Sequence, residues 1–357
     1  MEIIKYLTLS KSYLQPRTKK ILATIYKNNL EKVIELLENI YSEALPDADS
    51  IKQEFNHIIQ HNCNFITIND EFYPKLLKQI DTAPIVLTFK GNKSIFLKNN
   101  IALAGSRKLE ENDYMVIRDI VRIINDNDCH VISGLAYGSD IVAHLQSINY
   151  GTVAVMPCGL ANCYPKEHKI FIDKIIDLEG CILSEYSWHE PPKQQNFINR
   201  NRIIVGISDA IYIARARNIK SGSISSANFA KKFNRQIYTT LFDGENEGNK
   251  YLLDNNLAIE IKDLEFFRYN LIKNIAENSL YLDNITQELK NKKPYINQLF
   301  TNGLEIGIEK EVQHIVKQSK IKVIEKNFPQ LFELCKNEIN TNDIDIANSL
   351  LISIFKQ

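Results

Sequence analysis

Short apolar runs of four or five residues recur between Ile101 and Glu260, and amphipathic stretches of helical length separate them. The runs are Ile101–Gly105, His130–Gly134, Thr152–Met156, Cys181–Glu185, Ala210–Ala214, Gln236–Thr240 and Ala258–Ile261. Continuous apolar runs of this length mark strands buried on both faces, and the helical segments between them are the crossovers that join parallel neighbours. The pattern predicts an α/β domain with a doubly wound, mainly parallel sheet. In such a sheet ligands gather outside the carboxyl ends of the strands, where the strand order reverses. Those ends carry Gly105-Ser106-Arg107, Ser133 through Gly138, Cys158-Gly159, Ser184-Glu185 and Ser221-Gly222-Ser223.

The flanks read differently. Leu30, Val33, Ile34, Leu37 and Ile40 recur at spacings of three and four, an amphipathic stripe for a partner helix. The stretch Ala44–Ser50 breaks that helix and Ile51–Gln60 resumes the pattern. A connector from Asn64 to Asn92 carries a short strand of its own. After Ile261 the pattern is helical again near Leu264–Ala276 and Glu309–Val323, and a final apolar run spans Ile346–Phe355. Three domains follow: a helical one over 1–63, the sheet domain over 64–261 and a C-terminal helical one over 262–357, to which the residues assign no role.

Glycine usage supports this division. Of 13 glycines none precedes Gly91 and 11 lie from Gly91 to Gly248, as expected where backbone turns sharply or approaches a ligand. A length of 357 residues, 44% hydrophobic and 24% charged, is that of a soluble globular protein of two or three domains. Lys and Arg total 43, as do Asp and Glu, so a nucleic-acid surface must be a local patch and not a global field. The opening residues lack the pattern of a signal peptide and no run reaches transmembrane length, so a cytoplasmic protein with no membrane partner is expected. Six scattered cysteines without a CxxC pair suit reduced thiols. Cys158, Cys163 and His168 are spaced five apart, too wide for a usual zinc site, and no metal or cofactor is expected.

Several loops carry candidate chemistry. Gly105-Ser106 ends a strand and projects Arg107 over the crevice, where a guanidinium can grip a phosphate bidentately; a capping serine beside a surface arginine is the alternative. Ser221-Gly222-Ser223 opens a helix, so its amides and hydroxyls can form an anion site or simply a cap. Ala210–Phe242 contains no Asp or Glu but has Arg215, Arg217, Lys220, Lys231, Lys232 and Arg235, some expected at a ligand and the rest on solvated faces. Lys193, Phe197, Arg200 and Arg202 place cations around one aromatic ring, the combination single-stranded nucleic acid needs for phosphates and an unstacked base. The alternative buries Phe197 and braces Arg202 against a neighbouring loop. Asp140 and His144, one turn apart, and Glu185 have the chemistry of acid–base pairs, but no nucleophile accompanies them and loop braces are expected.

The succession Lys90-Gly91-Asn92, Ala104–Arg107, Ser133–His144, Tyr164-Pro165, Ser184–Tyr186, Asn196–Ile204 and Ser221–Ser223 resembles the DprA/Smf DNA-processing proteins over roughly residues 64–261. The resemblance implies an extended Rossmann-like domain without a catalytic step, which binds single-stranded DNA and loads a RecA-type recombinase, as in natural transformation, and which acts as a homodimer. It implies a DNA-binding role for Gly105, Ser106, Arg107, Ser133, Gly134, Lys193, Phe197, Arg200, Arg202, Lys220, Ser221, Gly222 and Ser223. The chain departs from the family at Phe242-Asp243-Gly244, at Ile224–Ala227, at Tyr13–Pro16 and throughout its C-terminal tail. A variant of the same reading makes it a component of a phage-defence operon that restrains a partner toxin. A different class, the nucleotide phosphoribohydrolases, is disfavoured because no carboxylate follows the Ser221–Ser223 loop before Asp243.

Overall fold

A computed structural model describes residues 2–301; the patterns at Glu309–Val323 and Ile346–Phe355 lie outside them. The chain divides into two compact units, Asp49–Leu280 and a second made of residues 2–48 with the described residues from Tyr281 on.

In the second unit α1 (Glu2–Lys11), α2 (Pro16–Ile25) and α3 (Leu30–Tyr41) pack together. The apolar stripe of α3 does this work, with Leu30, Val33 and Leu37 buried beside Leu7, Leu9 and Leu22. The break after α3 is shorter than its polar sequence suggests, because α4 (Ala48–Gln60) begins within it.

The larger unit is built on one nine-stranded sheet. In chain order its elements are β1 (Asn64–Thr67), α5 (Lys75–Gln79), β2 (Val86–Gly91), β3 (Asn99–Ala104), α6 (Glu111–Asp126), β4 (Cys129–Ser133) and α7 (Ser139–Gln146). Then come β5 (Thr152–Val155), α8 (Lys169–Asp177), β6 (Cys181–Ser184), α9 (Gln194–Ile207), β7 (Ala210–Ile213), α10 (Gly222–Lys232), β8 (Gln236–Thr239), α11 (Glu247–Asp254), β9 (Ile259–Glu260) and the part of α12 (Leu264–Thr301) up to Leu280. The strand order is β1-β2-β6-β5-β4-β3-β7-β8-β9. Strands β3 to β9 pair in parallel, as the seven apolar runs predict. The connector differs from expectation: it supplies two strands, β1 and β2, which extend the same sheet antiparallel beyond β6. Only half of β1 faces the core, so its apolar signal is weak.

Alternate residues of each strand serve opposite faces. Ile101, Leu103, Val131, Tyr212 and Tyr238 meet α6, α7 and the first turns of α12, whose Phe267 and Leu271 are buried with them. Ala154 and Ile182 continue that layer beneath α8. The helices α9 and α10 lie side by side against β3, β5, β7 and β8. The chain runs from β3 to β6 in one direction and returns through α9 to β7 on the other side of β3. The order therefore reverses between β3 and β7, and the loops after these strands form the rim of the crevice.

Candidate nucleic-acid interface

Three strand-end loops are stitched together at the switch point. The Ser106 amide donates to the Arg215 carbonyl at 2.7 Å, joining the loops after β3 and β7. The Ser106 carbonyl accepts from the Ser139 amide at 3.0 Å and from its hydroxyl at 3.2 Å, tying in the start of α7. Gly138 has a φ of 73°, and a Cβ there would lie 2.2 Å from the Ser106 carbonyl oxygen, so the close approach of these loops requires glycine. Ser106 Oγ closes its own turn by accepting from the Lys108 amide at 3.1 Å and donating to the Lys108 carbonyl at 2.7 Å. The loop holds Gly105 and Ser106 rigidly and leaves Arg107 exposed. The Arg107 guanidinium stands over the Phe197 ring, 5.8 Å from its centroid.

Phe197 lies in the first turn of α9, half-buried, and meets the edge of Tyr164 at 5.1 Å between centroids. One turn further on, Asn201 Nδ2 donates to the Gly222 carbonyl at 3.4 Å and links the second turn of α9 to the start of α10. Both helices run antiparallel to the strands, so both amino termini point to the crevice, and neither has an acidic residue in its first turn. Helix α6, by contrast, opens with Glu111 and Asp113. The dipole of α10 adds positive potential at this edge, while that of α9 is partly offset by Glu190, which accepts from Lys193 at 2.8 Å and from Asn196 Nδ2 at 3.4 Å. Ser221 caps α10, accepting from the Ile224 amide at 3.5 Å, and its hydroxyl meets that of Ser223 at 2.9 Å. Gly222 has open space where its Cβ would be, so nothing in the protein itself demands glycine there.

The remaining cations divide sharply. Lys193 and Lys220 are exposed, Lys193 beside Glu190 at 2.8 Å. Arg200, expected at a phosphate, is instead buried at 4% exposure beneath the loop after β4 and donates from Nη1 to the Val155 carbonyl at 2.5 Å. Burial lowers its pKa, with the Asp140 carboxylate opposing. A Cβ on Gly134 would lie 1.8 Å from Arg200 Nη1, so that glycine makes room for the guanidinium. Arg202 is paired with Glu185, each side chain 15% exposed, which is the brace anticipated as the alternative. Arg215 is bound bidentately by buried Asp113, at 2.7 and 2.8 Å, and caps the Asp243 carbonyl. Arg217 pairs with Glu245 and Glu110, and Arg235 donates to the Leu76 carbonyl. Lys231 and Lys232 sit in the last turn of α10, roughly 14 Å along the helix from Gly222.

Ser133 is buried, with Oγ donating to the Leu103 carbonyl at 2.6 Å. Asp140 accepts from the amides of Gly134 and Ala136, and burial raises its pKa. His144 Nδ1 lies 2.9 Å from Thr152 Oγ1, whose own hydrogen goes to the Val131 carbonyl. The imidazole must therefore donate there, leaving Nε2 buried without a partner. Burial, then Arg200 and His168, push its pKa down to about 3. Asp140 and His144 are braces of the loop, as their spacing without a nucleophile suggests. Tyr164 is the residue that the loop chemistry overlooks, although it stands in the Tyr164-Pro165 motif.

The family model described as DNA recombination-mediator protein A matches residues 64–271, more than half of the chain. The protein Smf of Borreliella burgdorferi is 29% identical over 239 residues, which cover 66% of this chain and 76% of that protein. The DNA processing protein DprA of Streptococcus pneumoniae is 32% identical over 198 residues, 54% of this chain and 69% of that one. Its X-ray structure is similar at a TM-score of 0.60 and 25% identity, covering 72% of this chain and 93% of that chain. The DNA processing protein A of Helicobacter pylori, whose structure is described for its single-stranded DNA binding mode, gives a TM-score of 0.54 at 28% identity, covering 59% of this chain and 96% of that chain. A match that takes in every strand of the sheet makes the chain a member of the DprA/Smf family of DNA recombination mediators.

Proposed function

We propose that this chain binds single-stranded DNA across the carboxyl ends of its parallel strands and delivers it to a RecA-type recombinase, as in natural transformation, without a chemical step of its own. The observation that carries the reading is the Arg107 guanidinium poised over Phe197 at the switch point, flanked by Lys193 and by the amino termini of α9 and α10. A cation beside an aromatic ring gives a flexible strand a phosphate contact and a base contact at once, which a rigid duplex cannot reach in so short a crevice. The family membership supports the recombinase step and a homodimer, in which two short grooves would form one longer path. The absence of catalysis is supported by the pairing of Glu185 with Arg202 and by the acid-free stretch Ala210–Phe242.

Fluorescence anisotropy with single-stranded and duplex oligonucleotides tests the binding. Single strands should bind better, and Arg107→Ala should weaken them by roughly tenfold or more, from about 1.5–3 kcal/mol for a charge-assisted contact. Wild-type affinity in a folded Arg107→Ala, Lys193→Ala double variant would remove the crevice as the site. Light scattering at twice the chain mass is expected of the dimer. Faster nucleation by the host recombinase on DNA coated with single-strand-binding protein is expected of the mediator.

A further inference from the structure

Beyond Phe197 the crevice rim carries a second exposed aromatic ring that the DNA-binding reading does not use. Tyr137 sits between Leu135, at a φ of 57°, and Gly138, at a φ of 73°, in the loop that interlocks with Ser106 and Arg107. Its ring is 42% exposed. It is nevertheless held firmly: the hydroxyl donates to Glu167 at 2.8 Å, and the ring meets the edge of His168 at 4.9 Å. His168 is itself fixed, with Nδ1 2.7 Å from the Leu135 carbonyl. An aromatic side chain so constrained and yet open to solvent offers a stacking face with little ordering left to lose on binding. Tyr164, 37% exposed, meets Phe197 and is also close to Tyr137, and Lys166 and Lys169, on either side of Glu167 and His168 in the chain, are exposed. Unlike Phe197, this ring has a carboxylate, Glu167, at its hydroxyl, and the cations on this side are the exposed Lys166 and Lys169.

We infer that Tyr137 is a second stacking platform for the same DNA strand, which leaves the Arg107–Phe197 position across Tyr164 and runs toward the start of α8, with Lys166 and Lys169 at its phosphates. The inference rests on the single-strand reading above and fixes the direction of the path. Anisotropy with an oligothymidylate of about 16 nucleotides tests both claims. Tyr137→Ala should bind it roughly five- to a hundredfold more weakly, the range expected for one base stack. Tyr137→Phe, which keeps the ring and loses the Glu167 bond, should bind like the wild type. Arg107→Ala and the surface pair Lys166→Glu, Lys169→Glu should each weaken binding. If Tyr137→Ala or the lysine pair binds with wild-type affinity while Arg107→Ala does not, the second platform is wrong and the crevice stands. If Tyr137→Phe loses as much as Tyr137→Ala, the ring is not the contact. If Arg107→Ala binds normally, the crevice reading falls and takes the platform with it.

Discussion

The salt dependence of binding to a short single strand measures how many cations actually reach phosphate. Motif residues alone place Arg107, Lys193, Arg200, Arg202 and Lys220 at the DNA, which with amide contacts gives a log–log slope near −3 to −4 at about −0.7 per neutralised phosphate. The structure removes two of them. Arg200 is buried under Gly134 and Arg202 is neutralised by Glu185, leaving Arg107, Lys193 and Lys220. Three contacts predict a slope of roughly −2 for an oligonucleotide of about four nucleotides. Arg107→Ala should flatten the line by roughly 0.7. The assay is anisotropy over a titration from low to physiological salt, with the slope taken from the affinities. A slope of −3.5 or steeper would show that the inner arginines are also reached, and would refute the division into scaffold and contact.

Asp113→Ala removes the bidentate partner of buried Arg215 and leaves it the Glu110 carboxylate at 3.3 Å, so urea unfolding should show a loss of up to about 3–5 kcal/mol, the cost of a broken buried pair. Gly222→Ala should leave thermal stability intact, since its Cβ meets nothing in the protein, and should weaken single-strand binding; an unchanged affinity would move the strand away from α10. For His144 the folded pKa of about 3 lies below the ordinary 6.5, so the unfolded chain takes up the proton first. Its contribution therefore lowers stability as pH falls from 6.5 toward 3, by up to about 1.4 kcal/mol per pH unit. Urea unfolding of the wild type should fall more steeply below pH 6.5 than that of His144→Gln, a comparison in which the opposing contribution of Asp140 is common to both. Parallel slopes would show that His144 is not the group that titrates.

The parallel strands were legible because all but the edge strand β9 are buried on both faces, so the apolar runs stand out from polar surroundings. The antiparallel addition was half legible: β1 has one wet face, and nothing local to Asn64–Thr67 says that it pairs with Val86–Gly91. The arginines were the least legible part. A guanidinium in a phosphate site and one in a brace have the same sequence neighbours, because what decides between them is the element packed opposite. Arg200 did carry one local sign, since it shares an inward stripe with Ile203, Ile204 and Ile207 on α9.

Gly134 and Gly222 show how such a motif can be sorted. Gly134 follows β4 and Gly222 opens α10, and both look like places where backbone meets a ligand. At Gly134 the missing side chain is filled from within by Arg200, so the glycine and the arginine are one packing unit, with Asp140 balancing the charge and His144 kept neutral beside it. At Gly222 the space is empty. The glycine whose vacancy the protein itself fills belongs to the scaffold, and the one it leaves open is where a strand has room to approach. By that criterion Ser133, Gly134, Arg200 and Arg202 set the shape of the crevice. On the single-strand reading proposed above, Arg107, Lys193, Phe197, Lys220 and Gly222 are the contacts, and substitutions in the first group should cost stability before affinity while those in the second should cost affinity alone.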